Sequence, residues 1–378
     1  MIAFSQPFFK EEEAQAVADV VRSLWVTGGP RLEEFERRFA EQCNAPYAVG
    51  VSSWTTGAFL VLSSYGIKPG DEVIVPSLTF IASVNVIRHV GATPVFADID
   101  PHTWNIDPQD VKRKITPKTK AILPVDQIGL PCDMDALNEI AAENNLIIIQ
   151  DAACSFASRN QERPMGSLCE TSIFSLHARK IITTGEGGMI VTKNKDIADK
   201  LRILRHQGMS LSDYVRRNSS PTTFETYPEI GYNFRITDIQ AALGLAQLNR
   251  LEEILECRRE IAARYNLYFK NHPYFRAPFV PEGIEPNWQS YQIELKPNRV
   301  FSRNELIEEL FTQKISTRRG VMASHHEAPY QHINTKLPHT DFAAANTLLL
   351  PMHPAITNNQ QKYIFDQLSR VSEKIEKS

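Results

Sequence analysis

The sequence predicts an α/β fold with a mostly parallel sheet, followed by a smaller α+β unit, and three observations carry that expectation. Short β-branched runs alternate with amphipathic stretches from residue 47 onward. Runs such as VIVP and LIIIQ are continuously apolar, as expected for strands covered on both faces. Beyond the runs at 173–177 and 187–192 the texture changes to long helical patterns and proline-rich loops. The strands read in order as 47–53, 71–76, 93–100, 119–125, 146–151, 172–177 and 187–192. Helical patterns intervene at 55–66, 79–91, 108–114 and 133–144, two of them closed by Gly66 and Gly91. The proline-free stretch 236–269 reads as one or two long helices, and 303–313 as another. The expected division is a large domain over 1–245 and a small one over 246–378, with the tail VSEKIEKS as a helix end.

Composition narrows the class. The chain has 378 residues, 42% hydrophobic and 22% charged, which is ordinary for a globular protein of about two domains. The formal charge is 41 − 44 = −3, so a general nucleic-acid binder is disfavoured. Five dispersed cysteines without a CxxC pair argue against a disulfide scaffold or a zinc cluster and suit a reducing cytoplasm. No basic segment followed by an apolar run opens the sequence, so no membrane partner is expected.

Chemistry-bearing residues fall where strands give way to loops. Ligands of open α/β sheets bind beyond the carboxyl ends of the strands. Thr55 and Thr56 follow one strand and start a helix, where backbone N–H groups can cradle a phosphate. Asp151 ends another strand, and Ser175 to His177 end a third. Lys180 follows, 29 residues after Asp151. An acid, a lysine and phosphate donors are what pyridoxal phosphate (PLP) requires: an amine for its imine, a carboxylate to keep the ring nitrogen protonated, and an anion site. Phe80, opening the loop after VIVPSLT, can stack on a flat ring.

Each residue has a plainer use. A single lysine is ordinarily a solvated surface charge, an aspartate after a strand ordinarily caps a helix, and a phenylalanine is ordinarily core. His177 reads equally as a satisfied histidine or as a proton shuttle beside the substrate. His325 and His326 resemble a metal cluster, but no third ligand stands at regular helical spacing, so no metal is expected there. Arg318 and Arg319 are assigned to phosphates or to a donor carboxylate. Gly187-Gly188 reads as a tight turn before the next strand.

The run Ser175-Leu176-His177-Ala178-Arg179-Lys180-Ile181-Ile182-Thr183-Thr184-Gly185-Glu186-Gly187-Gly188-Met189 resembles the lysine signature of the DegT/DnrJ/EryC1/StrS family. Val26-Thr27-Gly28-Gly29-Pro30, Pro69 to Pro76, Asp151-Ala152-Ala153 and Gly231-Tyr232-Asn233-Phe234-Arg235 match in the same order. The resemblance implies a fold-type I PLP aminotransferase acting on nucleotide-linked keto sugars in amino-sugar or polysaccharide biosynthesis, with L-glutamate as donor. It implies that Lys180 is the Schiff-base lysine, Asp151 the partner of the ring nitrogen and Ser175 a phosphate ligand. It further implies a homodimer in which Asn233 reaches the neighbouring subunit's cofactor. Cys154 stands where the family often has histidine or glutamine near the ring, and Trp54 where it usually has glycine. His177 and Arg319 are the expected substrate contacts. Two alternatives stand beside this reading. In a sugar 3-dehydratase of the same fold a histidine replaces the lysine, against which Lys180 argues. A regulatory or sensory protein of the same fold would merely bind the cofactor or a sugar ligand, and the sequence shows no helix-turn-helix segment or basic arm for a DNA-contacting regulator.

Overall fold

The computed structural model describes residues 1–297 and 301–376. The amino-terminal helices are α1 (Glu11–Ser23) and α2 (Pro30–Gln42). Strands β1 (Tyr47–Val51), β2 (Glu72–Pro76), β3 (Thr93–Ala97), β4 (Thr119–Ile122) and β5 (Ile147–Asp151) then alternate with α3 (Trp54–Ser64), α4 (Ala82–His89), α5 (Pro108–Lys114) and α6 (Met134–Asn144). A short ribbon, β6 (Arg159–Asn160) and β7 (Arg163–Pro164), precedes β8 (Thr171–Ser175) and β9 (Gly188–Thr192).

The main sheet has the order β1-β9-β8-β5-β4-β2-β3. The β3-β2-β4-β5-β8 neighbours pair in parallel, whereas β9 runs antiparallel to both β1 and β8. The expected mostly parallel sheet is therefore present, with one reversed strand that apolar pattern alone cannot reveal, since burial on both faces carries no direction. The carboxyl ends of β1, β2, β5 and β8 open on the same edge. Local chemistry sets the helix starts there and elsewhere. Ser53 caps α3 in a reciprocal box with Thr56, and Asp107 caps α5 ahead of Pro108 at its first position.

The remaining helices are α7 (Lys195–Leu204), α8 (Asp213–Asn218), α9 (Asp238–Asn249), α10 (Leu251–Phe269), α11 (Arg303–Thr312), α12 (Pro338–Asn346) and α13 (Asn358–Glu376). The expected helical stretch 236–269 is thus two helices, broken at Arg250. The carboxyl-terminal sheet combines β10 (Phe275–Arg276), β12 (Tyr291–Leu295), β13 (Arg318–Arg319) and β14 (Thr347–Leu350) in the antiparallel order β10-β12-β14-β13, while β11 (Ile284–Glu285) joins β6. Of the tail, α13 accounts for residues to Glu376, and 377–378 lie outside the described residues.

Two apolar cores flank the main sheet, one around Phe35, Phe39 and Phe174, the other around Val49, Trp54 and Ile173. A third, around Tyr265, Phe269 and Tyr291, underlies the second sheet. Helix α10 belongs to two of them: Leu251, Ile254 and Leu255 pack in the first, Ile261, Ala262, Tyr265 and Phe269 in the third. Among the described residues no helix is long and apolar enough to cross a membrane.

Candidate active site

The open edge of the main sheet gathers the polar residues. Asp151, the last residue of β5, is 3% exposed. Burial pushes its carboxyl up to about 6, against hydrogen bonds from Ser83 and the Ala153 amide and the attraction of the Lys180 ammonium, which pull the other way. Ser83 Oγ donates to Asp151 Oδ2 at 2.7 Å and lies 2.9 Å from Thr79 Oγ1. Behind it the buried Asp126 accepts from the Cys132 amide at 2.9 Å, Gln150 Nε2 at 2.9 Å and Ser155 Oγ at 2.5 Å. Burial raises the Asp126 carboxyl as well. Two buried acids thus stand one behind the other, and Asp151 has a cationic neighbour in Lys180.

Lys180 lies on the turn after β8, its Nζ 3.1 Å from Cys154 Sγ. The loops bearing these two groups are held by the segment before β12. Asn287 Nδ2 donates to the carbonyls of Cys154 and Phe156, at 2.8 Å each, and Gln289 Nε2 donates to the Arg179 carbonyl. Ser175 ends β8, with the His177 amide 3.4 Å from its Oγ. His177 is half-exposed, its Nε2 3.8 Å from Glu186 Oε1.

The start of α3 departs from expectation in one respect. The Thr56 amide bonds to Ser53 Oγ at 3.1 Å and the Thr56 hydroxyl to the Ser53 carbonyl at 2.9 Å, so Thr56 completes the cap and its N–H is already engaged. The first amides of the helix, of Trp54 and Thr55, have no intrahelical acceptor and are the ones available to an anion. Trp54 leaves this turn intact because its indole is directed into the core, with Nε1 donating to the Ile173 carbonyl at 3.1 Å. Gly188 permits the arrangement: a Cβ there would stand 2.6–2.8 Å from the backbone of Ser53 and Trp54. Gly187, at φ +157°, makes the preceding turn as expected.

Phe80 is 71% exposed at the same edge, an open aromatic face. Asn233 is exposed, its backbone bridged to His206. Arg319 is exposed on β13, and its recorded ionic partner is Glu327, at 3.9 Å, rather than a member of the Lys180 cluster. Thr79, Ser83, Asn287 and Gln289 were not singled out from sequence. The site partners of Ser83, Asn287 and Gln289 lie far along the chain, so no local spacing points to them, and Thr79 joins only through Ser83. For Ser83 the one available signal is its place in the first turn of the helix after a strand end.

An α/β sheet whose carboxyl edge joins a buried acid, a lysine and a helix amino terminus defines a class of cofactor-dependent group-transfer enzymes. Residues 7–369 match the DegT/DnrJ/EryC1/StrS aminotransferase family, and the chain belongs to that family. It is 38% identical over 365 residues to the spore coat polysaccharide biosynthesis protein SpsC of Bacillus subtilis, covering 95% of this chain and 94% of that protein. It is 36% identical over 374 residues to the GDP-perosamine synthase of Caulobacter vibrioides, covering 98% of each. Among solved structures, the aminotransferase TlmJ of Streptoalloteichus hindustanus superposes with a TM-score of 0.92 at 31% identity, over 100% of both chains. The Streptococcus pneumoniae protein Spr1654 in its PLP form does so with 0.92 at 30% identity, over 99% of both. The chain is an aminotransferase of the fold-type I class, and pyridoxal phosphate is its cofactor.

Proposed function

We propose that this enzyme moves an amino group from L-glutamate to the keto carbon of a nucleotide-linked deoxy-sugar, for the synthesis of an amino sugar or polysaccharide. One observation carries the reading: a lysine and a buried carboxylate stand together at the carboxyl edge of a sheet, beside free amides at a helix start. The activities for which the relatives are named, GDP-perosamine synthase above all, supply the substrate class.

The donor set fits the cofactor. Trp54 and Thr55 would give amides, and Ser175 a hydroxyl, to the phosphate; Asp151 would face the ring nitrogen; Phe80 and Cys154 would flank the ring; Lys180 would hold the aldehyde carbon. Thr56 contributes by shaping the turn rather than by its own N–H. Bound there, the cofactor supplies an electron sink for the carbon that loses its proton. The chain's residues do the rest. Asp151 keeps a positive charge at the ring nitrogen. The Lys180 amine would take the proton from the donor's Cα and deliver it to the cofactor carbon on the other side of the donor's nitrogen. His177 and Arg319 would bind the substrate, the guanidinium suited to its phosphates or to the donor's carboxylate.

We further propose a large domain over 1–245 and a small one over 246–378, with α10 shared between their cores. The active unit is a homodimer, with Asn233 reaching the partner's phosphate site. Asn233 follows a segment with exposed Phe224, Tyr227 and Ile230, an apolar surface suited to a second copy. Five free cysteines accord with a cytoplasmic setting.

The test is purified protein given PLP, glutamate and a panel of UDP-, dTDP- and GDP-linked 3- and 4-keto sugars, with product mass as readout. A visible absorption band that disappears in Lys180→Ala, with amination of one sugar class, supports the assignment. A colourless protein, or a Lys180→Ala variant of full activity, overturns it.

A further inference from the structure

Outside the site just described, the segment after β13 and helix α12 meet at a cluster of metal-ligating side chains. His325 Nε2 lies 3.1 Å and His326 Nε2 3.0 Å from one atom, Asp341 Oδ1, and the three ligand atoms fall within 4.8 Å of one another. That carboxylate oxygen is buried and receives no well-directed hydrogen bond. Two ring nitrogens thus converge on one carboxylate oxygen, at the separation of neighbouring ligands around a small cation.

We propose that His325, His326 and Asp341 form a binding site for a divalent zinc-like cation. The ligand set, two imidazoles and one carboxylate, suits a borderline metal ion, for which zinc is the natural choice. Bonds of about 2.0–2.1 Å in tetrahedral geometry put neighbouring ligand atoms about 3.3 Å apart, close to the nitrogen–oxygen separations found here. The His325 ring is already oriented. Its Nδ1 lies 2.7 Å from the Oγ of the fully buried Ser77, which also accepts the His325 amide at 3.0 Å, so Nε2 is the nitrogen left to face the carboxylate. Such an outer hydrogen bond is the usual support of a ligating histidine. His326 and Asp341 are 57% and 46% exposed, which gives an ion a path in and leaves the fourth position to water.

The sequence hid this site because Asp341 stands on another element, sixteen residues after His325. The location suggests a structural role. The segment 322–325 zips onto the strand end after β2: Thr79 N donates to the Met322 carbonyl at 3.1 Å, and Ser324 N to the Ser77 carbonyl at 2.7 Å. Helix α12 packs Ala343 in the same small cluster as Leu78. A cation would tie both to the peptide that carries Thr79 and leads to Ser83.

The test uses the PLP-loaded enzyme, stripped with a chelator and titrated with zinc against a competing chromophoric chelator. His326→Ala, His326→Gln and Asp341→Asn are run in parallel, and cobalt substitution provides a visible spectrum of the site. Expected are one zinc per chain, a cobalt spectrum of tetrahedral character, and at least tenfold weaker binding in each variant. Because His326 and Asp341 are partly exposed, these variants retain the fold, which circular dichroism checks. No saturable binding by the parent, or equal affinity in variants that fold, overturns the proposal.

Discussion

Ser83 Oγ donates a 2.7 Å hydrogen bond to Asp151 Oδ2, and both side chains are buried. The bond stabilises the ionised carboxylate, in opposition to the burial that drives its value up to about 6. In Ser83→Ala the cofactor-free chain should therefore hold this carboxyl higher still, with more of it protonated near neutrality. A positive ring nitrogen would lose its counter-charge. A hydrogen bond to a charged group contributes about 1.5–3 kcal/mol, so PLP affinity should fall by at least about tenfold, and more as the pH drops from 8 to 6. Spectroscopic titration of PLP at several pH values reads this directly, and an unchanged affinity would show that Ser83 does not tune Asp151.

Removing the charge altogether should separate stability from function. The Asp151 carboxyl has an ordinary value of 3.8 and is raised to about 6 in the fold, so between those values the native chain binds more protons than the unfolded one. Stability contributed by this group is thus present below about pH 4 and lost as the pH rises to about 6. The gap amounts to about 3 kcal/mol at neutrality. Asp151→Asn should raise the urea midpoint of the cofactor-free protein at pH 7 and flatten its pH dependence between 4 and 6. Amination should meanwhile drop by at least about a hundredfold. A variant that is both less stable at pH 7 and fully active would refute the assignment on both counts.

Trp54 offers a contrast between a residue's place and its side chain. Its backbone opens α3, whereas its indole fills the core at 6% exposure and bonds to the Ile173 carbonyl. Trp54→Ala should cost about 3–5 kcal/mol through the cavity it leaves. The helix-start amides remain, so PLP affinity measured well below the melting temperature should change by less than about fivefold. A loss of affinity that exceeds the loss of stability would show that the indole itself shapes the phosphate turn.

These effects mark what was legible in the sequence. Strands β2 and β5 are readable because each carries a short continuous apolar run, the expectation for Asp151 comes from its place at a strand end, and that for Lys180 from the signature around it. Helix α1 was missed: only Glu13 and Val20 of its thirteen residues are buried, so its charged surface outweighs its apolar stripe. The reversed direction of β9 was invisible for the reason given above. The Thr56 amide is engaged by the local capping box, and the pattern of a helix start does not say which N–H its own cap consumes. Asp341 and Asn287 act across distances that spacing rules do not reach.

Asn287 provides the last test. Its side chain accepts the Gln289 amide at 2.8 Å and donates to the Phe156 carbonyl, both at buried positions, and to the carbonyl of the half-buried Cys154, so one amide group closes a three-point clamp. Asn287→Ala leaves those backbone groups without partners, at about 1–3 kcal/mol each before water or relaxation offsets part of it. The loop that sets Cys154 against Lys180 would loosen with them. The expected result is a destabilisation of about 2–4 kcal/mol in urea unfolding. A fall in kcat larger than any rise in the KM for glutamate should accompany it, because misplacing the amine harms the proton transfer more than substrate capture. Asn287→Asp keeps the size and the acceptor but not the donor, and should rescue neither; recovery of kcat in that variant would show that bulk alone positions the loop.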